Sequence, residues 1–309
     1  MKLISTVFLF LMLAAVAAVA ACEGEGMTGA GGDMFPSPGE PVRLLFIHHS
    51  CGGQLLADPG EKVGGESGSG ERCIYVSHPN GGGLRSLLDS VGYEVHELTY
   101  ESRLGADTDI EHWRRKFAGH MDDLLRVDRQ DRLYADGRTN HIVVFKSCYP
   151  NNDFVGPGVE PGDPDSPERT VANAKAAYRS LLPLFREIPE VLFVAVTAPP
   201  RADPTAGGMK ARIKKWFGSG PKSADWAREF NSWLADKEAG WLADYRPRNV
   251  AVFDYYDVLT GNGRGNWSAY PTGNGRDSHP DRNGNTTAAR SFLPFLDEAV
   301  ARMGLQPAD

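Results

Sequence analysis

Leu44–Gly53 reads LLFIHHSCGG. A short apolar run stops abruptly at two histidines, a serine, a cysteine and two glycines. Four to eight apolar residues closed by glycine have the pattern of a buried strand and a tight turn. The stretch therefore predicts a strand over Val42–Ile47 with Ser50 just past its carboxyl end. Open α/β sheets bind ligands in the crevice at that end. A serine beside glycine amides there stands where an acyl-transfer nucleophile would be placed.

Outward from this stretch, strand and helix patterns alternate. Tyr93–Thr99, His141–Phe145 (HIVVF), Val191–Val196 (VLFVAV) and Val250–Phe253 supply four more strands. Between them, Ile110–Val127 spaces Ile110, Trp113, Phe117, Met121 and Leu124 at helical intervals. Leu84–Val91, Pro167–Ile188, Ser223–Gly240 and Gly284–Met303 are the other predicted helices, and Asp58–Glu71 is a polar, glycine-laden loop. Parallel strands need helical crossovers, and near-continuous apolar strands belong to a sheet covered on both faces. The expectation is one doubly wound, three-layer α/β/α domain over about residues 41–306 with a parallel five-stranded sheet.

The 309 residues are 41% hydrophobic and 24% charged, enough to bury a substantial core, and the net charge of −7 lacks the basic footprint of a nucleic-acid binder. No repeat of 20–50 residues is present. Residues 1–21 carry Lys2, an apolar run and small residues before Cys22, the pattern of a secretory signal. Val19-Ala20-Ala21-Cys22 resembles a bacterial lipobox, which implies lipidation of Cys22 and an exported, membrane-anchored lipoprotein, periplasmic or at the cell surface. Residues 22–40 form a flexible tether. Export permits disulfides, and Cys51 has two candidate partners, Cys148 and Cys73. No metal-ligand spacing is present.

Three further stretches offer the chemistry Ser50 needs. In Asp277-Ser278-His279-Pro280, His279 is a candidate base, and Asp277 shares its side of an extended segment and can orient the ring. After the third strand, Asn151 and Asn152 in Tyr149-Pro150-Asn151-Asn152-Asp153 can donate to an oxyanion. Gly105, in Ser102-Arg103-Leu104-Gly105, offers a backbone N–H.

Together these blocks resemble the SGNH (GDSL-like) hydrolase superfamily over essentially the whole mature domain. Ser50 matches its nucleophile, with His48-His49-Ser50 in place of Gly-Asp-Ser. Gly105 maps to its glycine donor, and Asn152, with Asn151 one position away, to its Gly-x-Asn-Asp block, although the glycine is absent. His279 maps to its Asp-x-x-His block, here Asp-x-His with Arg276 three residues before the histidine. The resemblance implies a flavodoxin-like fold and ester hydrolysis through an acyl-serine without a cofactor. The implied substrate is acylated carbohydrate, polysaccharide or small molecule. An O-acyltransferase acting on surface glycans and a non-catalytic glycan-binding lipoprotein are the alternatives.

The remaining features read as structural. His48 and His49 are packed histidines, and Lys210–Phe217 is a basic, solvated face. Trp267 and Tyr270, in the long Gly261–Arg276 loop, are candidate sugar contacts, although loop aromatics more often cover core edges.

Overall fold

Apolar side chains at alternate positions decide how the first strand is packed. In β1 (Val42–Ile47), Leu45 and Ile47 face one side and Leu44 and Phe46 the other, and all are buried. The computed structural model describes residues 40–65, 74–205 and 222–305. The predicted signal segment, Cys22, Cys73 and the Lys210–Phe217 patch lie outside them, as does nearly all of the tether.

The other central strands are β2 (Tyr93–Leu98), β3 (Ile142–Lys146), β4 (Leu192–Val196) and β5 (Val250–Phe253). Their order is β2-β1-β3-β4-β5, with every neighbouring pair parallel. This is the flavodoxin-like doubly wound order, and its switch point falls between β1 and β3. Registers such as Ile47 with Leu98 and Ile47 with Phe145 bring three strand ends to one rim.

Two apolar layers flank the sheet. On one face, α3 (Trp113–Leu125), α4 (Val171–Arg179), α5 (Leu181–Arg186) and α6 (Ser223–Ala235) bury Trp113, Phe117, Tyr178, Phe185 and Phe230 against Val143, Phe145 and Phe193. Phe185 stacks on Phe193 with ring centroids 4.0 Å apart. On the other face lie α1 (Ser50–Leu56), α2 (Leu84–Asp89), α7 (Tyr255–Leu259) and α8 (Arg282–Met303). These cover Phe46, Val144, Val194 and Phe253 with Leu55, Leu88, Phe292 and Leu296. Each such side chain removed from water contributes about 1.5–3 kcal/mol.

Several boundaries differ from the periodicity. The helix expected over Pro167–Ile188 is two helices that meet at Ser180, and it begins only after Thr170, whose hydroxyl caps Asn173 N at 3.2 Å. The helix expected from Ile110 opens as a 3₁₀ turn, Ile110–His112. Part of the expected Asp58–Glu71 loop pairs with the strand Tyr75–His78 through two-residue segments too short to show alternation. The short helices α1 and α7 escape the sequence pattern for the same reason.

Candidate active site

β1 delivers its last residue to the rim, and His48 and His49 carry the chain into α1, which begins at Ser50. Of the two glycines after Ser50, Gly52 is demanded by His48 and Gly53 by the Tyr75 ring. A Cβ on Gly52 would fall 2.4 Å from His48 Cβ, so only hydrogen fits there. His48 is fully buried, with its ring nitrogens 2.9 Å from the His49 carbonyl oxygen and 2.8 Å from Glu97 Oε1. Arg85 donates to the other Glu97 oxygen. Burial raises the Glu97 carboxyl pKa, but bonds from His48 and Arg85 outweigh it and hold the group below its ordinary range.

His279 arrives from the far end of the chain on β7 (Asp277–Pro280), which pairs antiparallel with β6 (Pro271–Thr272). Alternation on β7 puts Asp277 and His279 on one side. Asp277 Oδ1 accepts from the His279 amide at 3.0 Å and faces its Nδ1 at 2.7 Å. With that proton on Nδ1, Nε2 is the acceptor for Ser50 Oγ, 3.0 Å away. Desolvation raises the Asp277 pKa, yet the hydrogen bonds from His279 and Thr272 overcome it and keep the carboxyl below its usual range. Tyr149 meets the His279 ring edge-on at 5.1 Å, and Arg201, paired with Asp153 at 2.7 Å, lies 5.0 Å above the Tyr149 ring. The structure thus brings together Ser50, His279 and Asp277, three residues separated by up to 229 positions.

The expected oxyanion donors are held elsewhere. Gly105 N–H donates to the Ser102 hydroxyl at 2.9 Å. Asn152 is buried and its amide donates to the carbonyls of Ala198 and Pro199 at 3.1 and 2.8 Å. Asn151 is buried too, donating to Asp109 Oδ1 at 2.7 Å and accepting from Ile110 N at 2.9 Å. Both asparagines tie loops together, which accounts for polar side chains being buried there. Tyr270 is half-buried and packs against Gly284 and the apolar layer beneath α8, at a core edge. Trp267 is half-buried in its loop, and the contacts of Ser50 and His279 given above do not involve it.

Sequence reasoning missed Tyr100 beside Ser50, and it read His49 only as a packed histidine and Cys148 only as a candidate disulfide partner. Tyr100 accepts the Ser50 N–H at 3.1 Å, and its ring stacks on His49 at 4.0 Å. His49 donates from Nε2 to the Gly105 carbonyl and accepts at Nδ1 from the Thr108 hydroxyl, both at 3.1 Å. Burial lowers its pKa and keeps the ring neutral. Cys148 Sγ is 3.8 Å from Ser50 Oγ, and the buried Lys146 donates to it at 3.5 Å. Cys51 and Cys148 are free thiols rather than a disulfide. A hydrogen bond from Cys51 and the Lys146 charge draw the Cys148 thiol well below its ordinary range, while the same bond and burial push Cys51 up. The sequence carries one partial signal: Tyr100 and Cys148 each lie two residues past the end of a strand, β2 and β3, and the structure shows that these two strands flank β1.

No family model and no curated protein matches the chain. Among solved structures it is similar to a family two carbohydrate esterase from Cellvibrio japonicus, at 14% identity and a TM-score of 0.36. The likeness covers 87% of this chain and 64% of that one, so this chain spans less than two thirds of its neighbour's length.

Proposed function

We propose that this protein is an exported serine esterase of the SGNH type that hydrolyses acylated carbohydrate through an acyl-serine. The observation that carries the reading is His279, whose ring lies 3.0 Å from Ser50 Oγ on one side and 2.7 Å from Asp277 on the other. That order of hydroxyl, imidazole and carboxylate is the arrangement that activates a serine.

As Ser50 Oγ bonds to the ester carbonyl carbon, its proton passes to His279 Nε2 and the carbonyl oxygen takes the negative charge. Collapse breaks the bond to the alcohol, which leaves with the proton held by His279. Water, deprotonated by the same ring, then releases the acid and restores Ser50. Asp277 holds the tautomer that can accept, and its depressed pKa keeps it ionised opposite the imidazolium. The rim around Ser50 is polar, with Tyr100, Tyr149, Arg201 and Asp153 near it. Those groups suit a short acyl group on a hydroxyl-rich alcohol better than a long chain. Export and a lipid anchor at Cys22 are supported by the Lys2 to Cys22 pattern.

A chromogenic acetyl-ester assay on the mature domain tests the reading. Ser50→Ala and His279→Ala are each expected to lower kcat by at least about 10³-fold with the melting temperature preserved. Equal turnover by all three folded proteins would end it.

A further inference from the structure

An acyl-serine mechanism needs hydrogens aimed at the developing oxyanion, typically at 2.7–3.1 Å. Gly105 and Asn152 commit their donors to Ser102, Ala198 and Pro199, and Asn151 turns its amide to Asp109. The Ser50 N–H is itself directed at the Tyr100 oxygen, 3.1 Å away. A hydroxyl that accepts from an amide keeps its own hydrogen for a second partner, and that bond polarises it into a stronger donor. We propose that the Tyr100 hydroxyl is the oxyanion donor of this site, receiving the Ser50 amide and passing its own hydrogen to the substrate's carbonyl oxygen.

The inference rests on the serine-esterase reading and assigns a catalytic residue to it. Tyr100 is held for the task. Its ring stacks on His49 at 4.0 Å, and His49 is pinned by Gly105 and Thr108. This explains why histidine stands one place before the nucleophile: it is the platform that sets the tyrosine. Burial is the largest influence and raises the Tyr100 pKa; hydrogen bonds with the Ser50 side chain and amide oppose it, and the charges facing the hydroxyl, Cys148 and Lys146, oppose each other. The phenol therefore stays protonated, and able to donate, across neutral pH.

Tyr100→Phe keeps the ring and removes the hydrogen. Its kcat for the acetyl ester is expected to fall about 10²-fold with KM within about threefold. A thionoester, whose sulfur accepts hydrogen bonds weakly, separates donation from placement. The wild-type preference for the oxo over the thiono ester should collapse in Tyr100→Phe. If both esters slow by the same factor, Tyr100 only positions Ser50 and the proposal is overturned. Wild-type turnover by Tyr100→Phe overturns it as well. Activity retained in Ser50→Ala would instead remove the esterase reading beneath it.

Should the phenylalanine variant not fold, 3-fluorotyrosine at position 100 gives a second test. A more acidic phenol ionises earlier, so the alkaline fall of kcat should move to lower pH. An unmoved alkaline limb contradicts donation by Tyr100.

Discussion

Asp277 accepts two hydrogen bonds from a single residue, the amide and the ring of His279. The amide bond fixes the carboxylate whether or not the ring is charged, so the carboxylate is set before any proton moves. Replacement by asparagine keeps the shape and presents an amide hydrogen where the carboxylate accepted. The ring is then driven to carry its proton on Nε2, where it cannot receive one from Ser50. Asp277→Asn is expected to lower kcat by about 10- to 100-fold, less than at a buried triad because the Asp277 side chain is half exposed and water can solvate the imidazolium. An unchanged kcat in a steady-state assay would show that the carboxylate is idle. At this scale the sequence is informative where chemistry is local. Asp277 and His279 are two positions apart, and their shared side follows from the extended backbone. Tyr100 is fifty positions from Ser50 and carries no motif, so its place beside Ser50 is invisible until two strands are in register.

α3 is anchored to the loop after β2 by a buried lysine. Lys116 Nζ donates to the Leu104 carbonyl in the segment that also holds Gly105 and, through it, His49. Desolvation lowers the Lys116 pKa to about 8. The unfolded chain returns it to about 10.4, so between these values the unfolded state binds more protons than the folded one. Stability from this group therefore rises with pH across roughly pH 8 to 10.4 and is least below 8, where a charge must remain buried. In urea unfolding, the stability of the wild type relative to Lys116→Met should improve steadily as pH rises through that window. Parallel curves would contradict the assignment. The sequence predicts α3 well because Trp113, Phe117 and Leu124 repeat on one face. It says nothing of Lys116, since a lysine on a charged helix surface and one folded under a loop have the same spacing. Helices of five to seven residues, α1 and α7, lack the two turns that make periodicity legible.

Across the whole molecule, the site is a consequence of topology. Chain reversal between β1 and β3 leaves a crevice at the carboxyl rim, and β1, β2 and β3 each feed one group into it: Ser50, Tyr100 and Cys148. The C-terminal hairpin β6–β7 then brings His279 over the same rim, just before α8 seals the opposite face. Five apolar runs separated by helical stretches make the parallel sheet readable from residues alone, because strands covered on both sides cannot hide their hydrophobicity. The rim loops are less readable, since Asn151, Asn152 and Gly105 resemble a family spacing but are held in loop hydrogen bonds that spacing does not encode.

The central claim is that Ser50 is a nucleophile activated by His279, and an alkyl fluorophosphonate tests it most directly. Attack by an activated hydroxyl expels fluoride and leaves a phosphonyl group on oxygen, which peptide mass spectrometry locates. The account predicts one adduct, on Ser50, absent from Ser50→Ala and formed far more slowly by His279→Ala. A folded wild-type protein that stays unmodified, or that carries the label on Cys148 instead, would contradict it.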